Sequence, residues 1–212
     1  MAYYNSKKTE LPSVTTLIGR YMNKPYLALW ARDLMRDHGI DFENETRIAT
    51  NIGTMAHEMI EFDLLGLPTK TYVNRDSDQV KHALIAYSAW EKWKEINTID
   101  EVIATEAKLV SEEHSFGGTI DVVLKMNDKI TLLDLKTSKT ISVEYLIQVA
   151  AYGKLWNENF PDRPIERYEI LRIDKHTGKY DYEGWSELEK PWKIFRCFLL
   201  IDKLLKEVQN TL

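Results

Sequence analysis

The sequence predicts an α/β protein with a central sheet and a helical N-terminal region packed beside it. Two patterns carry this expectation: apolar residues recur at helical spacing as far as Asn97, and strand-like stretches take over after it. A third is the order that follows, a strand meander, a helix, two strands and a last helix. The 212 residues fit a single domain. It divides into a helical part over about 13–97, a sheet core over about 98–185 and a C-terminal helix over about 186–210.

Pro12-Ser13-Val14-Thr15 opens the first helical segment, with Ser13 or Thr15 as its N-cap. Leu27, Trp30, Ala31 and Leu34 continue helical spacing, and Gly39 closes the segment. A second helix is expected from about Ile48 to Leu65, where Gly66 and Pro68 stop it. A third begins near Asp76-Ser77 and carries Val80, Leu84, Tyr87 and Trp90 on one stripe. Strand-like stretches follow at 99–110, 117–126 and 129–136, the last two joined by the polar turn Asn127-Asp128. A helix over 143–159 comes next, then strands at 168–173 and 180–182 around the turn Asp174–Gly178. The chain ends in an amphipathic helix with Ile194, Phe198, Ile201, Leu205 and Val208 on one face.

The bulk numbers exclude several classes. An apolar fraction of 44% and a charged fraction of 29% belong to a globular protein with a sizeable core. No apolar run approaches the roughly 18 residues of a membrane span. Residues 1–8 lack the apolar stretch of a secretion signal, which leads us to expect an intracellular, cytoplasmic protein of bacterial or phage type. The single cysteine, Cys197, allows neither an intrachain disulfide nor a cysteine-held cluster. The net charge of −5 runs against the basic footprint of nucleic-acid binders. Its distribution softens that objection, because residues 1–36 carry six bases against two acids. The stretch 37–66 reverses the balance, with seven acids and only Arg47, and is either a solvated face or a place for cations.

The informative stretch is Gly117-Gly118-Thr119-Ile120-Asp121 followed by Leu132-Leu133-Asp134-Leu135-Lys136. Strand alternation puts Asp134 and Lys136 on one face. A two-residue turn at Asn127-Asp128 pairs Met126 with Lys129, and the same register continued brings Asp121 opposite Asp134. Their Cβ atoms would then lie about 5 Å apart on one face. Like charges facing each other across a sheet destabilise it, and a divalent cation between them removes the conflict. Hard oxygen ligands suit magnesium or manganese. Lys136 beside them could hold an attacking water and stabilise transition-state charge, which completes a kit for phosphodiester hydrolysis. The alternative is a surface hairpin with solvated charges. Against it, Ile130, Leu132, Leu133 and Val122–Leu124 make these strands look buried, where isolated charges are costly.

Further candidates are weaker taken singly. Gly53, His57 and Glu61 share a helical face by their spacing of four. His57 is either a metal ligand or a partly buried histidine bonded to Glu61. Glu106 precedes Asp121 in the strand meander, as a further ligand or an edge charge. Gln148 and Tyr152 share a helix face with Tyr145 and Leu155, either facing substrate or packed as an aromatic stripe.

Taken in order, Gly-Thr-x-x-His-x-x-x-Glu, Glu106, Gly-x-x-Asp, Asp-x-Lys-Thr and Gln-x-x-x-Tyr resemble the RecB-type branch of the PD-(D/E)XK nuclease superfamily over residues 11–156. The opening Leu11-Pro12-Ser13-Val14-Thr15-Thr16, with Trp30 downstream, is similar to phage-type exonucleases and the mitochondrial genome-maintenance exonuclease. The resemblance implies a restriction-endonuclease-like fold, a mixed sheet flanked by helices, with one composite site. It implies that His57, Asp121, Asp134 and the Leu135 carbonyl bind the metal and that Lys136 is catalytic. Glu106, Gln148 and Tyr152 match positions that line or support the site. The iron–sulfur cluster of some relatives is not expected, since Cys197 stands alone.

The expected activity is a DNA exonuclease on single strands or free ends, with Mg2+ or Mn2+. A structure-specific endonuclease and a non-cleaving DNA-binding module are the alternatives. Tyr3, Tyr4 and Trp30 are candidate platforms for stacked bases beside a strand-threading helical arch. No helicase motif is present, so unwinding would come from a separate helicase or recombination partner.

Overall fold

The structure, a computed structural model, describes residues 2–22, 29, 31–32, 35–36, 39 and 41–211. Trp30, Leu27 and Leu34 lie outside the described residues. Five strands form the main sheet in sequence order: β3 (Glu101–Ser111), β4 (Phe116–Met126), β5 (Lys129–Lys136), β6 (Arg167–Ile173) and β7 (Tyr180–Trp185). The β5–β6 pair is parallel and the other neighbours are antiparallel. A parallel pair needs a crossover, and α4 (Val143–Asn159) supplies it. A two-residue pair, β1 (Tyr3–Tyr4) with β2 (Glu10–Leu11), leads into α1 (Val14–Tyr21). The helices α2 (Phe42–Leu64) and α3 (Ser77–Ile96) precede the sheet, and α5 (Glu189–Gln209) follows it. This mixed sheet flanked by helices has the restriction-endonuclease-like architecture. Among the described residues no helix is long and apolar enough to cross a membrane.

Strand alternation sorts the apolar side chains into two cores. Leu132, Val123, Ile120 and Ile170 face α1, α4 and α5, whereas Leu133, Leu135, Val122 and Leu124 face α2 and α3. The β4–β5 hairpin turns at Asn127 and Asp128, whose φ values of 49° and 61° are those of a type I′ turn. Its register pairs Met126 with Lys129 and Val122 with Leu133, as the two-residue turn requires. The ladder stops there, one pair short of Asp121 and Asp134. Ile120 and Val122 pack into different cores although they are two residues apart, so alternation breaks at Asp121.

Several helix expectations need correction. Helix α2 starts at Phe42, not near Ile48, because Asp41 caps it by accepting from the Glu43 N–H. On α3 the buried residues are Ala83, Ala86, Ala89, Trp90 and Trp93, while Leu84 is 46% exposed. Small alanines let α2 approach closely, and the stacked Trp90 and Trp93 rings fill the layer between helix and sheet. On α5 the buried side chains are Trp192, Phe195, Phe198 and Asp202; the stripe of Ile194, Ile201, Leu205 and Val208 faces outward. Asp202 is satisfied there by Arg20, Tyr21 and Lys206, so the helix docks through aromatics and one buried acid.

Tyr3 is core and not a stacking platform: it is buried, and its hydroxyl shares a 2.9 Å hydrogen bond with Thr119. Gly117 makes this possible, since a Cβ there would stand 2.4 Å from the Tyr3 ring. The next glycine does the same on the other face, where a Cβ would stand 2.7 Å from Tyr152. Gly117→Ala should therefore cost about 1–3 kcal/mol by overpacking. Gly19→Ala, with nothing near its Cβ position, should be neutral or stabilising by up to about 1 kcal/mol. Urea midpoints of the two variants check this pair of outcomes.

Candidate metal centre

Three elements deliver the cluster. His57 comes from the middle of α2, Glu106 from β3 and Asp121 from the break in β4. One ligand atom from each, a ring nitrogen and two carboxylate oxygens, lies within 4.8 Å of the others. The His57 Nδ1 to Asp121 Oδ2 distance is 3.8 Å. Asp121 is held from the neighbouring strand, accepting the Leu135 N–H at 2.9 Å through the same Oδ2. That bond occupies the place the next ladder pair would take, so the end of β4–β5 pairing and the aim of Asp121 have one cause. Helix α2 reaches the end of β5 through Gly53, where a Cβ would stand 3.0 Å from the Thr137 hydroxyl.

Glu106 stands opposite Asp121 in the β3–β4 register and has a left-handed φ of 46°. For a non-glycine residue that conformation costs about 1–2 kcal/mol. Such strain inside a strand is a known mark of functional positions. Burial of its carboxyl, followed by the charges of Asp121, Glu61 and Glu58, raises the Glu106 pKa to about 7. The residue as a whole is solvent-exposed, so water screens part of that repulsion.

Asp134 and Lys136 form the second half of the site. Both point from β5 toward α4, on the face opposite Leu133 and Leu135. Asp134 is fully buried, and Lys136 Nζ lies 2.5 Å from its Oδ2. The Lys136 ammonium pairs with Oδ2, and the buried Oδ1 has no hydrogen-bond partner. Burial pushes the Asp134 pKa up to about 7; Lys136 opposes the rise and Asp121 adds to it. For Lys136 burial acts downward, but Asp134 and Asp121 outweigh it and keep the ammonium charged. Its Nζ also donates to the Leu135 carbonyl at 3.3 Å and sits 5.1 Å above the Tyr145 ring.

His57 is partly exposed, and burial lowers its pKa more than Asp121 raises it, with Lys136 also acting downward. A neutral imidazole is the ligand form. Its neighbour is Asp121 and not Glu61, which accepts instead from Thr105 at 3.3 Å. Gln148 donates to the Tyr152 hydroxyl at 2.9 Å. Burial, then the charges of Asp121 and Asp134, hold Tyr152 well above its usual pKa, so it stays protonated beside the acids.

The three-residue cluster differs from the expected ligand set. Glu106 belongs to it by geometry, whereas the Asp134 carboxylate is turned to Lys136. Glu58 and Glu61, two acids of the acid-rich stretch, lie close enough for their charges to act on Glu106. Sequence reasoning passed over Tyr145 as a neighbour of Lys136; its only signal was a shared helix face with Gln148 and Tyr152. The donor set of one imidazole and two carboxylates suits a hard divalent cation, and the unpartnered Oδ1 of buried Asp134 adds an acceptor in the second half of the site.

No family model matches the chain, and no curated protein matches it. Among solved structures it is similar to a candidate exonuclease from Eubacterium rectale, with 13% identity and a TM-score of 0.46 over 71% of this chain and 64% of that one. It is also similar to an alkaline exonuclease from Laribacter hongkongensis, with 14% identity and a TM-score of 0.37 over 78% of this chain and 91% of that one. The chain thus spans less than two thirds of the length of the Eubacterium rectale protein.

Proposed function

We propose that the chain is a metal-dependent deoxyribonuclease, an exonuclease acting on single strands or free ends. The observation that carries this reading is one constellation. His57, Glu106 and Asp121 converge on a single point, beside a fully buried Asp134 paired with Lys136. His57, Asp121 and Glu106 would hold Mg2+ or Mn2+, with Asp134 and the Leu135 carbonyl completing the ligands. The ion would supply charge neutralisation at a phosphate oxygen and acidify a bound water. Lys136, partly exposed and held charged by the neighbouring acids, is placed to hold the attacking water and stabilise the negative charge that develops as the P–O bond breaks. Tyr152 and Gln148 keep a neutral wall beside the acids. Asp121 is oriented from the main chain of β5, so its carboxylate needs no reorganisation during the reaction.

End-labelled single- and double-stranded DNA, incubated with magnesium, with manganese and with chelator, tests the reading. Release of short products from labelled ends only with a divalent metal is the expected result. A circular single strand should stay intact; its conversion to a linear form would assign an endonuclease. No cleavage of any DNA would leave a binding module on the same fold. His57→Ala should weaken magnesium affinity and activity together, with partial rescue at high metal concentration. Loss of thermal stability with full activity would make His57 a core residue instead.

A further inference from the structure

The outward face of α5 carries a pattern that the packing against the sheet does not use. Ile194, Cys197, Ile201, Leu204 and Val208 recur at alternating spacings of three and four, the a and d positions of a heptad. These residues are exposed, as are Leu200 and Leu205 on the edges of the same stripe. The buried stripe of Trp192, Phe195, Phe198 and Asp202 lies on the other side, so the helix has two apolar faces and, among the described residues, one of them is open. A period of 3.5 is the signature of a partner that is itself a helix, since it keeps one seam facing along the whole length. Exposures such as 56% at Leu200 and 58% at Val208 leave on the order of 500 Å² of apolar surface per copy. Two copies would bury about 1,000 Å², the lower limit for a specific interface.

The charges beside the seam choose the partner and its direction. Lys193 and Glu207 occupy the same edge position, g, with Leu200 midway between them. In an antiparallel pair the g positions of the two helices face each other. Two copies of this helix would then set Lys193 of each against Glu207 of the other and Leu200 against its own equivalent on the two-fold axis. A parallel pair would set Lys193 near Phe198 and form no such ion pairs. We propose that the chain self-associates as a two-fold symmetric dimer through an antiparallel pair of α5 helices. An isologous contact of this kind closes on itself and leaves the metal centre, on other elements, uninvolved.

Sedimentation velocity over a hundredfold range of concentration tests the proposal on the full chain. A monomer–dimer equilibrium is expected for the wild type, and a monomer at every concentration overturns the proposal. Ile201→Glu should raise the dissociation constant about 100-fold or more while leaving the thermal melt of the monomer in place; an unchanged dimer overturns it. Charge reversal separates this seam from any other, because Lys193 and Glu207 are exposed and outside the fold's core. Lys193→Glu and Glu207→Lys should each weaken the dimer about tenfold, by turning two attractions into repulsions. The double variant should restore wild-type association, and failure to do so overturns the antiparallel arrangement. Disulfide trapping gives an independent arm. Cys197 packs beside Ile201 of the other copy in the antiparallel pair but beside its own equivalent in a parallel one, so efficient Cys197 cross-linking of the dimer also overturns it.

Discussion

Lys136→Ala should retain magnesium and DNA binding while cleaving on the order of 100-fold or more slowly. The ammonium is held in place by three contacts: Asp134 at 2.5 Å, the Leu135 carbonyl at 3.3 Å and the Tyr145 ring at 5.1 Å. None of these is a substrate, so under the proposed reaction the charge would be prepared before DNA arrives and would cost little reorganisation as phosphorus becomes pentacoordinate. Removing it takes away an interaction that strengthens as negative charge develops. The loss should therefore appear in kcat more than in KM. Single-turnover cleavage at saturating magnesium measures the effect directly, and a thermal melt of the same preparation verifies the fold. Turnover near the wild-type rate would remove Lys136 from the reaction. Lys136→Arg keeps the charge but replaces a compact ammonium with a planar fork, and should recover only part of the rate.

Asp134→Asn should abolish most activity and most stabilisation by magnesium, yet leave the metal-free protein at least as stable as wild type at pH 8. The buried carboxylate has a pKa raised from 3.8 to about 7, which means that folding disfavours its charged form. The sign follows from proton linkage. Below pH 4 the group is protonated in both states and has no effect on stability. As pH climbs from about 4 to about 7, the unfolded chain releases its proton first and stability falls; above 7 the full cost, up to about 4 kcal/mol, is present. The Asn variant has no proton to release, so its metal-free melting temperature should overtake that of wild type across that window. If magnesium binds the folded wild type as proposed, it should raise the melting temperature with concentration, and the variant should lose most of that rise. Melts of both proteins with chelator and with magnesium, at pH 5 and pH 8, separate these contributions. A variant that melts well below wild type at pH 8 in chelator would make the Asp134–Lys136 pair a net structural support. An equal magnesium shift in both proteins would place the cation elsewhere.

Local chemistry made much of the architecture legible. Asn127-Asp128 specified a two-residue turn, and that turn set the β4–β5 register as far as Val122 and Leu133. Alternation in Leu132–Lys136 placed Asp134 and Lys136 on one face, because period two is intrinsic to a strand. Helix α4 was bounded correctly at 143 and 159. On α3 the expected stripe holds for Trp90, Val80 and Tyr87, and only Leu84 turns outward; on α5 most of the stripe does, because a helix with two apolar faces offers two readings and only its neighbours select one. On α3 the selection fell on small alanines that allow close packing, and on α5 on aromatics with a buried, satisfied acid.

By itself, then, the sequence determined the strand and helix order, the hairpin register, the shared face of Asp134 and Lys136, and His57, Glu106 and Asp121 as candidates. Tertiary structure alone decided which of them meet. The Leu135 N–H takes the Asp121 carboxylate and ends the ladder, a left-handed residue brings Glu106 opposite it, and α2 settles against β5 through Gly53 so that His57 arrives at the same point. Each of these depends on a contact between residues far apart in the chain. Spacing along one strand or helix carries no information about such contacts, since the free energy that selects them lies in packing one element against another.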